Sequence, residues 1–575
     1  MSALQGFQPP PHPSRRRAGG ARRAGLAAAL LLGVAAAGHA QLQPPEPPVG
    51  NPLTVDKANL GKVLFWDEQI SSTRTVSCGT CHIPAVGGAD PRSGISPLAV
   101  HPGPDGLFGG ADDVFGSPGV PLNHADGLYD WSTHFGLVEQ VTRRRTTSAI
   151  NAGYSEELFW DGRAPGEFVD PVTMMVVLPT GGALESQSVG PPVSDVEMAH
   201  VARAWADVLA RIADADPLAL SPRVPPALRA WIAGRSYPEL FAEAFGPAAI
   251  TAPNVAMAIA TYERTLFTDQ TPFDQFLFNG TGLTQQELDG NSVFNGAGQC
   301  NDCHQNAILS DHAFHYIGVR PRSDDQGRME VTGNALHEGQ MRTPTLRNVE
   351  LRAPYMHNGH FATLPEVIEF YDRGGDFIDP EIEIVPLSLT AQEKADLLAF
   401  LTRPLTDPRL AAGEPPFDRP TLYTESSRVP AVEGSGLPGT GGLVPAVVAL
   451  EPPLVGNPSF TAGVWNALPG APALLVIDDQ DPGLVAPGAG EFAFESTVLQ
   501  GVREGGGFGS VSIAIPDVPE LAGKEWLGRW YVTDPGAGGG AAVSRLFRFT
   551  TFHPVFVFVD GFESGDVSAW SAGVP

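Results

Sequence analysis

The sequence predicts a mainly α-helical protein that closes with a small all-β, sandwich-like domain, on three observations. Apolar residues recur at helical spacing in VDKANLGKVLFWDEQIS, SDVEMAHVARAWADVLARIADA, PNVAMAIATYERTLF, LPEVIEFYDRGG and AQEKADLLAFL, all before residue 405. Three of the helix starts carry capping boxes, in which a threonine and a glutamate three residues on satisfy each other's backbone N–H groups: Thr284 with Glu287, Thr363 with Glu366, Thr390 with Glu393. Beyond residue 450 the pattern changes to short alternating or β-branched runs split by Gly and Pro, such as FGSVSIAIPDV and RLFRFTTF.

Taken in order, residues 1–40 hold five arginines, no acid, the apolar run GLAAALLLGVAAAG and then His39-Ala40, a pattern expected of a signal peptide cleaved before Gln41. The run falls short of the roughly 20 residues a membrane span needs, and no later run approaches that length. The mature chain is therefore expected in a bacterial periplasm or outside the cell, spanning no membrane. Cleavage takes the formal charge from −28 to −33. Such acidity argues against a nucleic-acid partner; it is compatible with a basic protein partner, and solubility alone also explains it.

An exported protein normally spends cysteines on disulfides. Here all four lie in two copies of Cys-x-x-Cys-His: Cys78, Cys81 and His82 in VSCGTCH, and Cys300, Cys303 and His304 in QCNDCH. That is the attachment signature of c-type haem, two thiols adding to the porphyrin vinyl groups while the adjacent imidazole reaches the iron. A redox dithiol needs no histidine, and a shared zinc site would need thiols far apart in the chain to converge. Two covalently bound c-type haems are expected.

The organisation follows. Residues 41–275 form a first haem domain, interrupted by the Gly/Asp-rich insertion HPGPDGLFGGADDVFGSPGVPLNHADG, which reads as a loop or small irregular lobe. Residues 276–412 form the second haem domain. A Pro/Gly-rich stretch, 413–450, reads as a linker to the β-sandwich-like domain 451–558. The β domain bears no metal-ligand or nucleophile constellation and is expected to be a passive spacer or adhesion module; residues 559–575 are expected to be a tail.

The stretches LGKVLFWDEQIS, VSCGTCHIP, RRRTTSAIN, LFWDGRA, QSVGPPVSDVEM, QCNDCH and RTPTLRNVELRAPYMHNGHFATLPEVIEFYDRGG resemble, in order, those of the bacterial dihaem cytochrome c peroxidase and MauG family, over roughly residues 55 to 405. The resemblance implies two cytochrome-c-like helical domains, a peroxide-reactive haem in the first and an electron-transfer haem in the second. His82 and His304 would be the proximal ligands. Gln187, Pro191 and Glu197 stand where the family has its distal glutamine, proline and glutamate. Cleaving peroxide needs a base that moves a proton between its two oxygens; Glu197 is also expected to begin the helix VEMAHVARAW, where an acid favours the helix dipole. Trp160 stands where a tryptophan lies between the haems, and packing alone would also explain it. Tyr371 occupies the position of the second haem's sixth ligand, methionine in the peroxidases and tyrosine in MauG. It shares a helix face with Leu364 and Val367, and its rivals are Met341 and Met356.

The chain departs from the family twice. Where the peroxidases have a histidine that caps the resting first haem, this chain has the insertion with His101, His124 and His134, so the residue on which a reductive activation switch would turn is unmatched and the need for such a switch stays open. Arg145 replaces an asparagine ligand of the interhaem calcium, so calcium is expected weakly bound at most, through carbonyls such as those of Arg352 and Pro354. The expected function is reduction of hydrogen peroxide with electrons from a small cytochrome c or cupredoxin, or MauG-like oxidation of a protein or organic substrate. A non-enzymatic dihaem electron-transfer cytochrome is the alternative.

Overall fold

The computed structural model describes residues 42–247, 250–486, 493–501 and 506–553. The expected signal peptide and C-terminal tail lie outside the described residues. Among these, no helix is long and apolar enough to cross a membrane.

Two pairs of crossed helices organise the chain before residue 405. Helix Val55–Trp66 starts at Thr54, whose hydroxyl accepts the Lys57 N–H, and it crosses helix Ala252–Glu263 at Gly61. A Cβ at Gly61 would meet the Ala258 carbonyl oxygen at 1.9 Å, so the crossing needs glycine for space. Helix Gln285–Asn295 crosses helix Ala391–Leu401 in the same manner, with a Cβ at Gly290 falling 2.0 Å from the Asp396 carbonyl oxygen. The three capping boxes form as the residue pattern indicates. Helices Trp205–Asp214, Pro226–Ile232 and Tyr237–Phe245 close the first apolar core around Trp66, Tyr237 and Phe241. Helix Leu364–Asp372 closes the second around Phe294, Phe370 and Phe400. Removing these rings from water is the main force holding each unit together.

Three expectations change. The long helix expected over 194–215 is helical only from Trp205 to Asp214. Asp207 caps its start by accepting the Ala204 N–H, and residues 195–202 form turns with Ala202 at φ 59°. Glu197 therefore begins no helix. The stretch 413–450 is no free linker. Phe417 and Leu422 are buried in the first apolar core, Lys62 pairs with Asp418 at 2.7 Å, and the Glu68 carboxylate accepts the N–H groups of Tyr423 and Thr424. Its later part already contributes strands Ala431–Glu433 and Ala446–Val448 to the β domain. Apolar side chains at 417, 422 and 423, spaced among prolines, make this segment a strap.

The β domain is a sandwich. In one sheet, strands run in the order Ala493–Val498, Pro472–Asp478, Glu525–Thr533, Leu546–Thr550, Ala431–Glu433, with Ala541–Val543 also pairing Glu525–Thr533. The other holds Gly507–Ile513, Phe460–Ala467 and Ala446–Val448. Phe460, Leu475, Trp530 and Phe547 fill the space between them. This domain packs on the lobe that the insertion opens: Trp131 lies 6.0 Å from the Trp465 ring and 5.3 Å from that of Phe508. The insertion itself is an irregular lobe ending in the ribbon Pro118–Pro121 with Glu139–Val141.

Candidate functional site

Each Cys-x-x-Cys-His motif opens on a cavity. The first, of about 310 Å³, is walled by Cys78, Cys81 and His82, and its wall also holds Gln187, Pro191 and Glu197. Cys78–Cys81 is a single helical turn capped by Ser77 with Thr80, which places both thiols on one side. The second, of about 270 Å³, is walled by Cys300, Cys303 and His304, and takes in Tyr371, Met341 and Met356 together. Tyr371 sits one residue past fully buried Phe370, so the helix turns its ring from the core to the cavity. Trp160, Arg145, Thr147, Ser148 and Ala152 belong to the walls of both cavities.

The residues present suit haem. His82 Nδ1 lies 3.1 Å from the Gly88 carbonyl oxygen and His304 Nδ1 3.0 Å from that of Leu309, which leaves each Nε2 for a metal. Burial lowers both imidazole pKa values, that of His304 to about 4, so the rings are neutral. All four thiols are unpaired, and burial pushes those of Cys78 and Cys300 up to about 12, away from the reactive thiolate of a redox dithiol. In the second cavity wall, Arg145 and Arg352 each bury an Nε without a partner, and burial pulls both guanidinium pKa values down to about 10. Anionic groups such as haem propionates are what those guanidiniums lack.

Around the first cavity, burial raises the pKa of Glu197 against the opposing pull of Arg163 and Ser194. Trp160 donates its indole N–H to the Arg145 carbonyl at 2.8 Å and lies edge-on to His357, ring centres 6.2 Å apart. Arg144 holds Asp161 and Asp325 together, clasping the segments before and after the second haem motif. Arg145 takes up one of the expected cation ligands itself: its guanidinium donates to the carbonyl of Arg352 at 2.6 Å, and also to that of Ala353 at 3.4 Å. The insertion's histidines line neither cavity wall; His101 and His134 pack on Phe135, and His124 pairs with Asp130.

Sequence reasoning missed Glu263. It ends helix Ala252–Glu263, lines the first cavity, is 5% exposed, and leaves Oε2 without a partner; burial raises its pKa to about 8. The one charged residue closing an otherwise uncharged helix was the available signal.

Residues 55–281 match the family model described as di-haem cytochrome c peroxidase. A cytochrome-c peroxidase of Pseudomonas sp. (strain SCT) is 28% identical over 431 residues, covering 68% of this chain and 90% of its own length. The methylamine utilization protein MauG of Methylorubrum extorquens is 28% identical over 373 residues, covering 64% and 84%. Among solved structures, that of a MauG-like protein associated with microbial copper homeostasis is 28% identical with a TM-score of 0.47, covering 67% of this chain and 97% of that one.

Proposed function

We propose, because the chain belongs to the di-haem cytochrome c peroxidase and MauG family, that it is a periplasmic enzyme reducing hydrogen peroxide at its first haem with electrons relayed through its second. It is an oxidoreductase of the peroxidase kind carrying two c-type haems with iron. When bound, the first haem would supply the redox-active iron that peroxide reduction needs.

The chain's own residues do the rest. Cys78 and Cys81 would hold the first porphyrin and His82 its iron; Cys300, Cys303, His304 and Tyr371 would hold the second. Glu197 lifts the proton from the near oxygen of peroxide and returns it to the far one, which leaves as water. Its raised pKa brings the carboxyl closer to working pH, where it both accepts and gives a proton. Gln187 orients the peroxide by hydrogen bonding, and Pro191 keeps bulk water from the pocket. Trp160, in both cavity walls, carries electrons between the centres. Calcium is not needed for this bridge, because the Arg145 guanidinium supplies a cation at the Arg352 carbonyl. The observation that carries the proposal is the half-buried carboxyl of Glu197 in the cavity wall that also holds His82.

The electrons come from a small basic cytochrome c or cupredoxin, matched to the acidic chain. A second reading, MauG-like oxidation of a protein or organic substrate, is favoured by Tyr371 in the second cavity, since a phenolate oxygen stabilises higher oxidation states than a thioether. Peroxide turnover with reduced cytochrome c tests the first: Glu197→Gln is expected to lose roughly 10²–10⁴-fold with both haems retained, and wild-type turnover in that variant would remove Glu197 from the mechanism. A non-enzymatic carrier requires two six-coordinate low-spin haems; a ferric high-spin signal in the isolated protein rejects it.

A further inference from the structure

The segment 191–203, which carries Pro191 and Glu197, has little regular structure of its own, and the carbonyls of Asp195, Val196 and Met198 are satisfied from outside it. The Val120 N–H donates to the Val196 carbonyl at 3.2 Å, the Gln140 amide to Asp195 at 2.7 Å, and the Ser72 N–H to Met198 at 2.8 Å. Arg203 donates to the carbonyls of Pro192 at 3.2 Å and Met198 at 3.4 Å. Gly119 lies so close that a Cβ would meet the Val196 carbonyl oxygen at 2.0 Å. The shape of the segment is thus set by the ribbon 118–141 from outside and by its own buried Arg203 from within.

That ribbon's lobe is held from its far side by the β domain. Tyr129 donates its N–H to Ser510 Oγ at 2.9 Å, and the Ser510 hydroxyl lies 3.2 Å from the Tyr129 carbonyl. The Thr461 hydroxyl donates to the Gly127 carbonyl at 2.8 Å, and the Tyr129 hydroxyl to Glu451 Oε1 at 3.2 Å. Trp131 fills the gap against Trp465 and Phe508. A second route runs through arginines. Arg74 donates to Ser459 Oγ at 3.1 Å, Arg211 to the Ser71 carbonyl at 3.2 Å, and buried Glu451 is the acid whose field both guanidiniums feel. Glu451 is 2% exposed and its Oε2 has no partner, so it serves this junction and not solvent.

We propose that the C-terminal β domain braces the peroxide site: through Tyr129, Glu451 and the insertion lobe it fixes the turn that carries Glu197, which makes Tyr129 and Glu451 positioning residues, the catalytic consequence resting on the assignment of Glu197 above. The lobe transmits because each of its two faces is hydrogen-bonded, one to the sandwich and one to the turn, and buried hydrogen bonds lost on one face leave its tip unrestrained.

The test uses full-length holoprotein carrying Tyr129→Phe or Glu451→Gln, with hydrogen exchange read by mass spectrometry and peroxide kinetics measured alongside. Both variants are expected to exchange faster in peptides covering 118–141 and 191–203, to show a heterogeneous ferric high-spin signal from the first haem, and to react with peroxide about tenfold more slowly, as a slight misplacement of a catalytic group would give. The second haem's signal stays unchanged. Exchange changes confined to 431–553 with an unaltered peroxide rate would overturn the brace. Should Glu451→Gln lose haem, Tyr129→Phe decides, since it removes one hydroxyl and keeps the ring. Glu197→Gln separates the two claims: it is expected to lower turnover without altering exchange at 118–141, and if it keeps turnover the proton role falls while the exchange pattern still judges the brace.

Discussion

At the scale of single residues, chemistry is set by what faces each cavity. Tyr371, Met341 and Met356 share the second cavity, and burial raises the Tyr371 hydroxyl well above its usual range, so only a bound metal would ionise it. Tyr371→Phe is expected to abolish the low-spin signal of the second haem and raise its reduction potential, while covalent haem content stays at two; Met356→Leu is expected to leave both unchanged. Paramagnetic resonance with potentiometry checks this, and the reverse pattern would hand the ligand role to the methionine. Cys78, Cys81, His82 and their counterparts were legible because spacing alone specifies the chemistry. Glu263 was not, because only the cavity distinguishes an unpartnered carboxyl from an ordinary helix-ending acid.

Elements show where local pattern suffices and where it fails. Capping boxes and the apolar faces of the crossed helices were readable because both are short-range. The strap 413–425 was not, because a Pro-rich stretch reads as a linker until a groove accepts its aromatic residues. Glu68 anchors it, accepting the N–H groups of Tyr423 and Thr424 and the Thr424 hydroxyl at 2.8 Å. Burial raises the Glu68 pKa from 4.5 to about 8. The folded chain therefore binds this proton more tightly than the unfolded one. Its contribution to stability is complete below pH 4.5 and is lost as pH rises through about 8, by up to about 1.4 kcal/mol per pH unit. Unfolding by urea at several pH values between 5 and 8 should show stability falling as pH rises, with a shallower slope in Glu68→Gln. Equal slopes would mean that Glu68 is ionised throughout.

For the molecule as a whole, the formal charge of −28 dominates long-range behaviour. With a basic cytochrome donor, kcat/KM is expected to fall steeply as salt rises from 0.01 to 0.2 M, as the Debye length shrinks from about 30 Å to under 10 Å. A small uncharged reductant should show no such fall, and equal salt profiles would exclude electrostatic docking.

The sequence by itself determined two haems, the helical and β halves and the candidate axial and distal residues, since each depends on residue type at short spacing. Only the tertiary structure decided that 195–202 is a turn, that the supposed linker is a strap, that Arg145 takes the carbonyl expected for a cation, and that the β domain rests on the insertion lobe. Those features depend on contacts between residues up to several hundred positions apart, such as Tyr129 with Glu451, and no local pattern of polarity or propensity encodes which distant surface a segment will meet.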